Sequence, residues 1–120
     1  SLTLAKTTNQ SKQTVKAVSH GNSKTSTKTQ HGYVIKENGK IQEYGISGQK
    51  LKADGTSPRV QQKIATKYNG NPNVKGQVIK KNMPNRTKAL NWEKGKAKAY
   101  RVSPNNPKPG QNPPQQKRPK

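Results

Sequence analysis

Residues 31–47 read HGYVIKENGKIQEYGIS, and this stretch decides the fold. Two runs of strand-forming character, Tyr33-Val34-Ile35-Lys36 and Lys40-Ile41-Gln42-Glu43-Tyr44, flank Asn38-Gly39. Asn-Gly readily takes the two left-handed conformations of a tight hairpin turn, so the stretch predicts a β-hairpin. An odd number of steps separates Tyr33 from Tyr44. Regular alternation would place their rings on opposite faces, and a turn or bulge at Asn38-Gly39 is expected to reset that parity. On local grounds alone, two tyrosines in a hairpin read as cross-strand packing.

Downstream of the hairpin, Ser57-Pro58 reads as an N-cap followed by Pro at the first helical position. Val60, Ile64 and Tyr68 recur at steps of four, which predicts a helix over 58–68, stopped by Asn69-Gly70. Gln77-Val78-Ile79-Lys80 predicts a short third strand. Pro84-Asn85 leads into a second helix through about Arg101, with Leu90, Ala97 and Tyr100 as its expected buried stripe. The order β-β-α-β-α is that of an α+β domain, with a small, mostly antiparallel three-stranded sheet flanked by helices. The chain contains no internal repeat.

Composition narrows the partners. The 120 residues carry 25 Lys and Arg against 4 Asp and Glu, a net charge of +21, which directs the chain toward polyanions such as DNA, RNA, an acidic protein or an anionic membrane. Hydrophobic residues make up 24%, with no Phe, one Trp and four Tyr, so the core is small and the fold marginal. No apolar run approaches the roughly 20 residues that cross a bilayer, and no short apolar segment follows a basic start, so neither a membrane span nor a signal peptide is expected in this stretch. Zero cysteines exclude a disulfide scaffold, a thiolate zinc site and a Cys nucleophile. The chain starts at Ser1 rather than Met, which reads as a module of something longer.

Three zones follow from charge and proline. Residues 1–30 hold five Lys, no acid and no period, and read as a basic flexible linker. Residues 31–102 hold all four acids and nearly all the periodic apolar pattern, and read as the catalytic core. Residues 103–120 hold six of the nine prolines with Lys117, Arg118 and Lys120, and read as an extended basic tail packing on the core.

Glu93 stands on the apolar stripe of the second helix, three residues from Leu90 and four from Ala97, where every other ionisable residue is basic. An inward carboxylate there is either ion-paired to a basic neighbour or binds a cation. His20 falls in the linker and reads as a solvated surface residue. His31 adjoins the hairpin and could serve acid–base cleavage of RNA with Lys and Arg.

The hairpin segments His31-Gly32-Tyr33-Val34-Ile35 and Glu43-Tyr44-Gly45-Ile46-Ser47, ten residues between their tyrosines, resemble the paired motif of the GIY-YIG nucleases. Arg59 at the start of the first helix and Glu93 within Ala89-Leu90-Asn91-Trp92-Glu93-Lys94 resemble that family's Arg and metal-binding Glu. The tail Asn112-Pro113-Pro114-Gln115-Gln116-Lys117-Arg118-Pro119 resembles the closing segment of such modules in polymorphic bacterial toxins of the contact-dependent inhibition type, with Gln116 where the family has Asn. Gly rather than Ile precedes the first tyrosine.

The resemblance implies phosphodiester hydrolysis of DNA or RNA with one divalent cation such as Mg²⁺, held by Glu93 and water. It implies that Tyr33 activates the water, Tyr44 positions the nucleophile and Arg59 stabilises the phosphate charge, with Gln116 as a further site residue. Lys50, Lys52, Lys63, Lys67 and Lys75 would then hold the strand through its phosphates, without base identity. The charge and the resemblance together predict an acidic immunity protein in the producing cell, and delivery from a larger secreted or surface toxin into a target-cell cytoplasm. Two alternatives stand beside this reading: a metal-independent ribonuclease using His31 with basic residues, and a non-catalytic nucleic-acid-binding module.

Overall fold

The computed structural model describes residues 28–117. His20, Arg118, Lys120 and nearly all of the expected linker lie outside the described residues. Strands β1 (Gln30–Glu37) and β2 (Lys40–Ser47) form the predicted hairpin. Asn38 and Gly39 turn it with φ of 53° and 79°, the left-handed pair that a tight turn between right-twisted strands needs. Helix α1 (Pro58–Thr66), strand β3 (Val74–Met83) and helix α2 (Arg86–Val102) follow. The sheet is antiparallel in the order β2-β1-β3, an α+β arrangement as the sequence predicts.

β1 is the central strand and is buried from Gln30 through Ile35, because a helix covers each face of the sheet. On one face Tyr33, Ile35, Val60 and Val74 pack with Ile64 and Tyr68; on the other, Ile46, Met83 and Ala89 pack with Leu90 and Trp92. Gly32 matters to the second layer: a Cβ there would lie 2.4 Å from the Trp92 ring, so only Gly lets the indole sit flat on the strand.

Register corrects the expected parity of the tyrosines. Glu37 pairs with Lys40, and continuing that pairing without a break would set Tyr33 opposite Tyr44 on one face. Instead β2 bulges at Gln42: Ile35 pairs with Glu43 while Lys36 pairs with Ile41. Tyr33 therefore faces Gly45, Tyr44 faces Val34, and the two rings point to opposite sides of the sheet. The bulge, not the turn, sets the faces, and it separates the tyrosines rather than joining them.

Element boundaries also shift. α1 begins as predicted, with Ser57 Oγ accepting the Val60 N–H, but ends at Thr66. The closing turn takes Lys67 and Tyr68, and Gly70 donates to the Ile64 carbonyl at 2.7 Å. β3 is longer than 77–80 because Lys75, Lys80 and Lys81 are exposed on an edge strand, where no apolar alternation marks its ends. Of the expected stripe Leu90, Ala97 and Tyr100, Ala97 is buried on α2, and the other buried residues are Arg86, Ala89 and Glu93. The two alanines let the helix approach the sheet, and Leu90 and Tyr100 are displaced to half-buried flanks.

The tail over 103–117 contains neither helix nor strand, yet it is not simply extended. Buried Asn106 donates to the Gln111 carbonyl at 3.0 Å and accepts the Lys108 N–H at 2.9 Å, folding the chain back. Arg101 pins the return through Asn112 Oδ1 at 2.8 Å. The chain then reaches the outer edge of β2, where Gln115 N–H donates to the Gln42 carbonyl at 2.9 Å, at the bulge itself.

Candidate active site

Bulge and tail together shape a cleft of about 200 Å³ that wraps over the edge of β2. Glu43 and Tyr44 enter it from opposite faces of β2, Arg59, Lys63 and Lys67 from the α1 side, Glu93 from α2, and Gln116 and Lys117 from the tail. Four of the five residues singled out as catalytic, Tyr44, Arg59, Glu93 and Gln116, thus come together from four segments of the chain.

Gln116 is the joint between them. Its side-chain oxygen accepts the Tyr44 N–H at 2.6 Å, and its nitrogen donates both to the Tyr44 carbonyl at 3.0 Å and to Glu93 Oε2 at 3.1 Å. The amide thereby closes the open edge of β2 and orients the carboxylate, a positioning role built on backbone contact. Glu93 is 2% exposed, so the inward placement read from the helix period holds.

Tyr33 is the fifth, and its position corrects the expectation of a group facing a bound water. The residue is 1% exposed, does not line the cleft, and lays its ring against Gly45, where a Cβ would come within 2.3 Å of the phenol. It touches the site through Lys63, whose Nζ lies 5.5 Å from the ring centroid. Burial lowers the Lys63 pKa, but the Tyr33 phenol and Glu43 outweigh it and hold the ammonium above its usual value.

Glu43 was legible only as part of a motif, and the structure gives it a central place. Lys63 and Lys67 donate to its two oxygens at 2.7 and 2.9 Å, and the Tyr68 hydroxyl donates as well. Burial pushes the Glu43 carboxyl up, while the bonds from Lys63, Tyr68 and Lys67 pull it below the ordinary carboxylate range. Burial and Glu43 push the Tyr68 phenol well above its usual value. Burial, then the neighbouring Tyr100, push the Tyr44 phenol up, so Tyr44 is a protonated donor at neutral pH.

The lysines expected to grip phosphate divide. Lys63 and Lys67 line the cleft but share the Glu43 charge, leaving a net of one positive charge among the three. Lys52 bonds Gln61 at 2.6 Å, Lys75 is exposed on β3 at the far edge of the sheet, and Lys50 lines a separate concavity of about 450 Å³. That larger concavity also takes in His31 but holds no carboxylate. His31 is buried, its Nε2 lies 2.7 Å from Ser57 Oγ, and burial lowers its pKa, so the neutral ring serves the N-cap of α1 and lies outside the cleft. Lys117, at the cleft's mouth, was missed as a site residue; its only sequence signal was its place beside Gln116.

The described residues contain no group of three or more His, Cys, Asp or Glu able to enclose a metal ion. A single carboxylate with retained waters still suits Mg²⁺, and Glu93 fits that part, since Glu43 is already held by two ammonium groups. No described helix is long and apolar enough to cross a membrane. Comparison with known proteins gave no match to a family model, to a curated protein or to a solved structure.

Proposed function

We propose that this chain is a metal-assisted phosphodiesterase of GIY-YIG type that cuts DNA or RNA, the working module of a delivered bacterial toxin. The observation that carries the reading is the convergence of Tyr44, Arg59, Glu93 and Gln116, distant in sequence, on one basic cleft. A divalent cation such as Mg²⁺, held by Glu93, would supply charge stabilisation at the phosphate and acidify water. Arg59, in the first turn of α1, offers a planar guanidinium for bidentate contact with phosphate. Tyr44, a donor at neutral pH, orients an attacking oxygen rather than deprotonating it. Gln116 fixes Glu93 and the strand that carries Tyr44. Tyr33 acts from behind, through Lys63. An acidic immunity partner in the producing cell would complement the +21 charge of the chain.

The test is incubation of the purified chain with plasmid DNA and with total RNA, each with Mg²⁺ and with chelator. Cleavage that needs Mg²⁺ is the expected result. Chelator-resistant cleavage of RNA alone would transfer the activity to a metal-independent ribonuclease, and salt-sensitive binding without cleavage would make the chain a binding module.

A further inference from the structure

We infer that the α2 face beside the cleft is a base-stacking platform for an unpaired nucleic-acid strand, formed by Tyr44, Trp92 and Tyr100 around Lys96. The inference rests on the nucleic-acid reading above and narrows its substrate class.

The chain has only five aromatic residues of these types, one Trp and four Tyr. Two of them, Tyr33 and Tyr68, belong to the α1 face. The other three gather on the opposite face beside the β2 edge. Trp92, Lys96 and Tyr100 recur at steps of four along one side of α2, so they form a row next to Glu93. Tyr44 meets Trp92 edge-on at 6.4 Å and 88°, and its phenol is close enough to Tyr100 for that ring to raise its pKa. Lys96 holds its ammonium 6.0 Å from the indole centroid.

All three rings are half-buried, unlike Tyr33. The indole packs over Gly32 and against the Ile46, Met83 and Ala89 cluster. Lys96 stands by the indole, Lys88, Lys94 and Lys98 are exposed along the same helix, and the only acid of α2, Glu93, points into the cleft. Flat apolar faces ringed by cations suit a polyanion that offers flat faces of its own. An unpaired strand does so, whereas a duplex keeps its bases inside the stack.

Trp92 is the only tryptophan, which makes its fluorescence a direct reporter. The full chain, in chelator so that nothing is cut, is titrated with an oligothymidylate, an oligouridylate, a duplex of equal length, and heparin as a polyanion without bases. The platform predicts that the single strands quench Trp92 emission and bind about tenfold or more tighter than the duplex, while heparin binds without quenching. Tyr100→Leu, shown folded by circular dichroism, is expected to weaken single-strand binding roughly 5- to 150-fold, the range for one stacked base. Quenching by heparin equal to that of the oligonucleotides, duplex binding as tight as single-strand binding, or unchanged affinity in Tyr100→Leu would each overturn it. A chain that cuts duplex DNA with Mg²⁺ yet shows no quenching loses the platform and keeps the nuclease reading. Quenching without any cleavage does the reverse.

Discussion

Two carboxylates lie in one cleft and their surroundings separate their work. Glu43 is held by Lys63, Lys67 and Tyr68, and Glu93 by the Gln116 amide that also clamps Tyr44. Glu93→Gln keeps the size of the side chain and removes the charge, so cleavage is expected to fall at least about 100-fold while the thermal unfolding midpoint stays within a few degrees. Collapse of the fold in that variant would make the carboxylate structural. Glu43 behaves oppositely, as a stability group. Its folded pKa is depressed, so its contribution is complete above the unfolded value of 4.5 and is lost as pH falls through the folded value. Glu43→Gln should therefore flatten the loss of stability below about pH 4.5, measured by denaturant titration across pH. A second acid-sensitive contribution comes from His31, whose lowered pKa keeps the ring neutral against Ser57 and makes the fold lose stability below about pH 6.5.

Among the elements, the hairpin and the capped helix carry the site. Gln42 is the extra residue of β2, and it turns both following side chains, Glu43 toward α1 and Tyr44 toward α2. Deleting Gln42 would remove the bulge while keeping Glu43 opposite Ile35 and Tyr44 opposite Val34, so the faces stay as they are and the Gln42 carbonyl that anchors Gln115 is lost. Loss of cleavage with retained strand content in circular dichroism is the expected outcome. Retained activity would show that the bulge is dispensable. At the other end of the site, Ser57→Ala removes the N-cap of α1 and the partner of His31, a cost of about 1–2 kcal/mol in unfolding free energy. The hairpin was legible because Asn38-Gly39 carries its own turn geometry. The bulge was not, because nothing in Ile41-Gln42-Glu43 distinguishes an extra residue from a paired one. Lys63, Lys67 and Tyr68 gave no sign of meeting Glu43, since that contact spans 20 to 25 residues of chain.

For the molecule as a whole, the tail is the last piece of the cleft. A chain ending at Val102 would lose Asn106, Gln115, Gln116 and Lys117, and with them the cover of the β2 edge. Such a truncation is expected to lose cleavage and to gain self-association, because an uncovered edge strand offers unpaired backbone groups. Activity and sedimentation of the truncated chain check both outcomes. Binding to nucleic acid should weaken steeply with salt, since the net charge of +21 acts through phosphates.

The sequence by itself determined the net charge of +21, the hairpin, the capped first helix and the inward Glu93, because each depends on charge count, on a turn dipeptide or on a period within one segment. Only the tertiary structure decided which side each tyrosine takes, which lysines remain available to a substrate, and that Gln116 bridges β2 and α2. Those outcomes depend on pairing register and on contacts across tens of residues, where a single inserted residue or one carboxylate redirects every neighbour.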